Sequence, residues 1–461
     1  IYDRCIDFPL TIDAIVNSRF LDRRFKHLAQ TALVHAGMST YDFLGGSRLP
    51  FRYVSKGKFT RTHLLTDMDL LGVRIYSDGK IRSPERLALE AILKGDEEGG
   101  NSFNYTEVVG FKRNNSGRVR AVNARSRGEI YTFQGKVIIN ATGPWIDMVN
   151  RLHTPSGAGN LLLRVGGIHA VVSSFAGCEK LGKKALVIPT RSPEGQKRLV
   201  FVIPEEGCWL IGTTEKKIED DSDVLDYKPS RGELASLFQA LRRLIPSFDL
   251  TPDSREILHV FAGVRPLRRQ QRDPTTASRK DLINYDRKTG VISVTGKLTP
   301  ARAVAERVTD LVCRLLGKER PRCRTACTPL LGGETIREEA SHVARKYDMA
   351  EHIVEGIMRS YGSRHEDVLS CCERDGALRH EIARGYIMAQ VNYAVEHEKA
   401  VRISDVTFRR TDMGVKSKDC GDQLIEAIGK LMAVRLGWSR EQLREEAVSY
   451  THLRAHETVL D

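Results

Sequence analysis

The chain has 461 residues, an apolar fraction of 41% and a formal net charge of +13, enough length for two or three domains and enough apolar content for a sizeable core. It has no run of about 18 apolar residues, which excludes a membrane-spanning helix. No zinc knuckle, helix-turn-helix or aromatic-plus-basic signature accompanies the positive charge, so no nucleic-acid partner is expected; the basic residues are spread out and read mostly as an ordinary solvated face, with an anionic substrate or an anionic membrane surface as the functional alternatives.

In chain order, Ile1–Leu49 reads as helical. Ile12, Ile15, Val16, Phe20, Leu21, Leu28, Leu33 and Val34 form its apolar face, and Gly45-Gly46 closes it with a turn. Leu71–Lys80 alternates and is expected to turn at Asp78-Gly79. Ser83 caps a helix running through Leu93, with Pro84 at its first position. Tyr105–Arg113 and Val119–Arg125 form a hairpin around Asn114–Gly117, and Glu129–Phe133 adds a strand. Val137-Ile138-Ile139 reads as a buried strand of a parallel sheet. It runs into Asn140-Ala141-Thr142-Gly143-Pro144-Trp145, whose small residues admit a close ligand at a strand's carboxyl end.

Regularly spaced short strands follow at Ile168–Val172, Leu186–Pro189, Leu199–Pro204 and Cys208–Thr214, favouring an antiparallel or mixed sheet. After a helix at Arg231–Leu244 capped by Ser230, Ile257–Val264 reads as a strand ending at Arg265-Pro266. Val291–Val294 is another, followed by Thr295-Gly296-Lys297-Leu298-Thr299 and a helix from Pro300 to Leu316. Pro321–Gly333 reads as a linker, and the remainder as helical. The nine cysteines lack metal-ligand spacing: Cys323 and Cys327 have no second pair, and Cys371-Cys372 are poorly placed for a disulfide. No metal site is expected, and the compartment is read as reducing. No charged-then-apolar leader is visible.

Arg265 and Lys297 are cations at two strand ends, Thr213-Thr214 are neutral donors at a third, and His169 lies within an apolar strand. Brought together, they would make an anion clamp with one base that titrates near neutral pH. Taken singly, a strand histidine is ordinarily a hydrogen-bonded core residue and a strand-end arginine a surface one. The amides of Gly296–Thr299 enter a helix start that can cradle an anion, although the run is no Walker loop. Glu396-His397-Glu398 reads as a solvated helical face.

Four motifs occur in order: Asn140–Trp145, Ile203-Pro204 with Ile211–Thr214, Phe261–Leu267, and Gly296–Thr299. Thr328-Pro329-Leu330, Tyr361-Gly362, Tyr393–Glu398, and Asp405 with Arg409-Arg410-Thr411 follow in the C-terminal part. Together they resemble the FAD-dependent glycerol-3-phosphate dehydrogenases, within the D-amino-acid-oxidase-like flavoproteins, from about Leu10 to Val448. The resemblance implies an α/β (α+β) fold in which a doubly wound FAD-binding domain interleaves with a mixed-sheet substrate domain over residues 1–320. An all-α domain follows over 321–449. Residues 450–461 do not continue the pattern and read as a foreign tail.

The implied reaction is oxidation of sn-glycerol 3-phosphate to dihydroxyacetone phosphate. Hydride would pass from carbon-2 to the flavin and electrons onward to a membrane quinone. By the same resemblance, Arg265 holds the substrate phosphate, Lys297 lies near the flavin and substrate oxygens, and His169 is the general base. Thr213 or Thr214 donates to the substrate. Ala141, Thr142, Gly143 and Trp145, with Gly296, Lys297, Leu298 and Thr299, line the cofactor.

The family's G-x-G-x-x-G unit is not found, so the chain is expected to begin inside the flavin domain, and Thr295 and Pro300 depart from the family's Gly-Gly-Lys-Leu-Thr-Thr run. Peripheral association with a bacterial inner membrane (cytoplasmic face) or a mitochondrial membrane is implied, as is a possible homo-oligomer. A glycerol-3-phosphate oxidase and an inactive fragment of the flavoenzyme are the alternatives.

Overall fold

The strongest β-branched runs of the chain pair with one another. The computed structural model describes residues 2–11, 52–55, 72–154, 160–182, 184–191, 197–219, 224, 227–243, 245–270, 277–278, 280–416 and 422–458. Within these, strands β1 (Tyr2–Thr11), β2 (Arg52–Ser55) and β3 (Gly72–Ile81) form one wing of a ten-stranded sheet. The expected helix therefore does not begin at the start of the chain. Pro9 removes a helical donor and biases Phe8 toward extended backbone, and Tyr2–Thr11 pairs antiparallel with Val73–Ile81. The apolar residues of that expected helix from Ile12 onward, and the Gly45-Gly46 turn, lie outside the described residues. β3 also passes straight through Asp78-Gly79 instead of turning, because Asp78 finds a partner in Ile6 beyond a bulge in β1.

Helix α1 (Pro84–Glu97) starts where Ser83 Oγ accepts the Arg86 amide at 3.2 Å. β4 (Glu107–Arg113), β5 (Val119–Ser126) and β6 (Glu129–Gln134) form the expected three-stranded meander. β7 (Ile138–Asn140) leads through a turn at Gly143–Trp145 into α2 (Ile146–His153).

The centre of the large sheet is built from β8 (Leu162–Val172), β9 (Leu186–Arg191), β10 (Lys197–Glu205), β11 (Cys208–Gly212), β12 (Lys216–Ile218) and β13 (Ile257–Arg269), with β14 (Ala277–Ser278) at the edge. One face carries Ile168, Ala170, Val172, Ile211 and Val260. Helix α3 (Arg231–Arg242) covers it with Leu234, Leu237, Phe238 and Leu241, and burial of this cluster drives the domain's formation. β13 is longer than expected. It continues past Arg265-Pro266, with Pro266 opposite Arg164 of β8, and among the described residues β14 joins its outer edge only at Arg268 and Arg269, so no described strand on that edge needs the missing N–H of Pro266. Arg265 is consequently a mid-strand residue.

β15 (Leu282–Tyr285) and β16 (Val291–Thr295) form a hairpin, and β16 lies parallel to β7 with Ser293 opposite Asn140. Helix α4 (Ala301–Leu315) follows. Beyond it the chain is helical from Ala340, apart from a small hairpin of Glu381–Ala383 with Tyr386–Ile387 that qualifies the all-α expectation. Two apolar clusters organise this region, and helix Met388–His397 serves both, giving Ala389 and Tyr393 to one and Val391 and Ala394 to the other. The last helix runs from Arg440 to Thr458, so it continues beyond residue 449. Tyr450 on it is buried and stacks on Phe408.

Glu398 is not on a solvated face. It follows the last turn of Met388–His397, is 1% exposed, and meets the Arg86 guanidinium at 2.5 Å. Arg86 also reaches Glu90 at 3.1 Å and lies over the Tyr361 ring. The helical period pointed this carboxylate outward. The chain leaves the helix at this residue instead, and Arg410 holds its carbonyl at 2.7 Å.

Candidate active site

Antiparallel register decides which side chains share the face of the large sheet opposite α3. His169 of β8 lies opposite Gly212 of β11 and Phe261 of β13. Two residues along, Gly167 faces Gly263, and two further, Val165 faces Arg265. Opposed residues point the same way. His169, Phe261 and Arg265 therefore share one face, with Gly263 open between Phe261 and Arg265 and Gly167 beside it lying under the chain that leaves β11.

The imidazole stacks on Phe261 at 5.2 Å, and a side chain at Gly212 would collide with the ring. Burial, reinforced by the Arg265 charge, pushes the His169 pKa down to about 4. The neutral, proton-accepting form prevails at physiological pH.

Thr213, Thr214 and Glu215 leave β11 as a turn laid across Gly167, where a Cβ would meet Thr213 Oγ1 at 2.5 Å. The two threonines differ. Thr213 is half-buried and donates to the Thr214 carbonyl at 3.0 Å. Thr214 is 5% exposed, and its hydroxyl accepts the Ile168 amide at 3.0 Å while donating to Glu233 at 3.2 Å. Arg265 Nη2 donates to the Thr214 carbonyl at 3.3 Å and pairs with Glu215 at 3.2 Å. His169, Thr213, Thr214 and Arg265, distant in sequence, thus form one group.

The second set of residues lies where β7 and β16 end side by side. Asn140 is buried and fixes this corner. Its amide nitrogen donates to the Ile146 carbonyl at 3.0 Å and to Asn150 at 2.9 Å, and its oxygen accepts the Thr142 hydroxyl at 2.6 Å. Thr142 is thus engaged with the corner itself. Ala141 is exposed, Trp145 is 41% exposed, and Leu298, after β16, is 45% exposed. Gly143 adopts φ +58° with open space where a side chain would stand.

Together these give an apolar ledge at the carboxyl ends of neighbouring parallel strands, a fit for a flat ring system. The Gly143–Trp145 turn packs against β13, the strand that also carries Phe261 and Arg265. Gly296 lies against Asp281, which pairs with Arg307 of α4 at 2.6 Å. Lys297 and Thr299 are exposed, and among the described residues no hydrogen bond or ion pair ties Lys297 to His169 or Arg265.

Sequence reasoning did not single out Glu215, Glu233, Tyr227 or the facing Gly167–Gly263 pair. The one legible signal, Ser230 three residues before Glu233, reads only as a helix cap. Among described residues, Glu338, His365 and Glu366 bring potential metal-ligand atoms within 4.8 Å of one another, but Lys346 already pairs with Glu366 at 2.5 Å.

A cofactor ledge beside an open sheet face that carries a neutral histidine and an arginine is the layout of a flavin-dependent oxidoreductase. Comparison with known families agrees. Residues 37–311 match the family described as FAD dependent oxidoreductase, and residues 323–443 match the C-terminal domain of alpha-glycerophosphate oxidase. The chain belongs to the FAD dependent oxidoreductase family, and FAD is the cofactor around which that family is built.

It is similar to the glycerol-3-phosphate dehydrogenase of Synechocystis sp. (29% identical over 441 residues, 90% of this chain and 78% of that one). It is similar also to the aerobic glycerol-3-phosphate dehydrogenase of Staphylococcus aureus (28% over 435 residues, 88% and 74%). The solved glycerol-3-phosphate dehydrogenase of Bacillus halodurans, complexed with FAD, superposes with a TM-score of 0.76 at 26% identity, covering 88% of this chain and 79% of that one.

Proposed function

We propose that this chain oxidises sn-glycerol 3-phosphate to dihydroxyacetone phosphate, with an oxidoreductase domain over residues 1–320 and a helical domain over 321–449. The observation that carries the reading is the shared face of His169 and Arg265, with Gly263 open between Phe261 and Arg265. It offers a neutral base and a fixed cation to a small anionic alcohol.

Arg265 binds the phosphate. Its Nη2 is committed to the Thr214 carbonyl and Glu215, which leaves its other N–H donors for the phosphate oxygens. The Thr213 hydroxyl lies beside Gly167, within reach of a substrate oxygen. His169 accepts the proton of the carbon-2 hydroxyl as that carbon becomes a carbonyl. FAD, when bound, supplies the acceptor for the hydride leaving carbon-2. Ala141, Trp145 and Leu298 would hold its ring system and exclude water, and Lys297, on the same loop as Leu298, would favour negative charge developing there.

Arg265→Ala tests the clamp. The expected result is a KM for sn-glycerol 3-phosphate raised about a hundredfold, the loss of a charge-assisted contact of ~3 kcal/mol. An unchanged KM would remove Arg265 from the phosphate site.

We assign electron transfer onward to a membrane quinone, with peripheral association at a bacterial inner or a mitochondrial membrane. The motif resemblance, which implies a quinone acceptor, and the net charge of +13, which suits an anionic membrane surface, support this. No helix among the described residues is long and apolar enough to cross a membrane. Oxygen is the second reading, favoured by the match of residues 323–443 to an oxidase domain. Hydrogen peroxide released stoichiometrically on aerobic turnover would establish it, whereas turnover sustained only by added quinone would establish the first.

A further inference from the structure

Glu233, on the first turn of α3, belongs to the helix that covers the apolar face of the sheet, and its carboxylate gathers three hydroxyl donors. Tyr227 donates to Oε1 at 2.7 Å, Thr214 to the same oxygen at 3.2 Å, and Ser230 to Oε2 at 3.2 Å. Ser230 Oγ in turn accepts the Glu233 amide at 3.2 Å. The sequence has made room for this. A Cβ at Gly166 would lie 2.6 Å from the Tyr227 ring, and one at Gly167 would strike the Thr213-Thr214 turn. Burial, with the bond to Glu233, pushes the Tyr227 pKa up, so the phenol remains a donor.

Thr214 ties Glu233 to the face that carries His169 and Arg265. Its hydroxyl joins Glu233 to the Ile168 amide, next to His169, and its carbonyl receives Arg265. A helix cap alone would need only the Ser230–Glu233 pair. The bonds from Tyr227 and Thr214 go beyond it.

We propose that Glu233 is a positioning residue for substrate recognition: through Thr214 it holds the 213–215 turn, and through the Thr214 carbonyl it sets the Arg265 guanidinium that receives the phosphate. The proposal rests on the reading of Arg265 as the phosphate ligand. The Thr214 carbonyl and the Glu215 carboxylate, at 3.3 and 3.2 Å, both hold Nη2, so the remaining N–H donors of the guanidinium are presented to the phosphate in a fixed direction.

The test uses the FAD-loaded full chain and its Glu233→Ala, Glu233→Gln and Tyr227→Phe variants. Affinity for inorganic phosphate is measured by calorimetry, which needs no turnover, and KM and kcat per bound flavin are measured with sn-glycerol 3-phosphate. For Glu233→Ala the expected result is a weakening of both phosphate affinity and KM by about tenfold, the loss of one hydrogen bond's worth of orientation at a charged group. Its kcat per flavin should stay within about threefold. Glu233→Gln, which keeps one acceptor oxygen, should fall between, and Tyr227→Phe, which spares the Thr214 bond, should stay near the unaltered protein.

A merely structural role would lower flavin content or Tm and leave phosphate affinity and KM unchanged, and that result overturns the proposal. If Glu233→Ala does not fold, the isosteric Gln variant decides by the same readout. No binding of phosphate by the unaltered protein would overturn the reading of Arg265 itself, and this proposal with it.

Discussion

Replacing His169 with asparagine is expected to slow flavin reduction by sn-glycerol 3-phosphate about a thousandfold, in the middle of the range for losing a general base, with substrate affinity changed by less than about threefold. Asparagine preserves a polar group of similar reach at the ring's site, so Phe261 and Gly212 keep a neighbour while the proton acceptor is gone.

The chemistry requires a neutral imidazole, and burial together with Arg265 supplies one by lowering the pKa to about 4. Because the folded-state value is depressed, the base form is present at neutral pH and is lost only as pH falls through about 4. An unperturbed histidine would lose it near 6.5. The same depression means that the unfolded chain takes up a proton on His169 below about 6.5 while the folded one does not. Acid therefore erodes stability between these two values. An NMR titration of the His169 ring in the substrate-free protein should give a midpoint near 4. A midpoint near 6.5, or a rate loss under tenfold in the asparagine variant, would leave His169 a packing residue.

The second large effect is on stability. Glu398→Ala is expected to destabilise the protein by ~3 kcal/mol, the lower end for removing one partner of a buried ion pair. Arg86, 9% exposed, would keep only Glu90 and the Tyr361 ring to balance its charge. The pair joins α1 to the helical region, so the two parts should uncouple together. Denaturant unfolding followed by flavin release and by far-ultraviolet circular dichroism should shift in parallel. The double variant Arg86→Met with Glu398→Leu, which removes both charges, should recover most of the loss. A single variant as stable as the unaltered protein would show that the pair is held by its surroundings.

The meander at β4–β6 was legible because Asn114–Gly117 separates two alternating runs, and α1 was legible because Ser83-Pro84 marks its start. His169, Arg265 and the Thr213-Thr214 turn could be named from residue type and motif order. Their convergence could not, since it depends on which residue of β13 lies opposite which residue of β8. Gly167 and Gly263 face each other only in that register. Pro266 read as a strand end, yet β13 continues through it, with no described residue paired to Pro266 on the outer edge. Glu233 read as a cap and Glu398 as a solvated charge, because periodicity reports a helix face, whereas the partners of both come from remote segments. Tyr2–Thr11 took the apolar look of its neighbours, although its strand pairing depends on residues about 70 positions away.

The FAD-loaded protein is mixed anaerobically with sn-glycerol 3-phosphate, and in parallel with the same concentration of glycerol, while the visible flavin band is followed. Bleaching by the phosphate ester and not by glycerol is the predicted result, because Arg265 recognises the phosphate and His169 takes the proton. No bleaching by the ester with FAD demonstrably bound, or equal bleaching by glycerol, would contradict it.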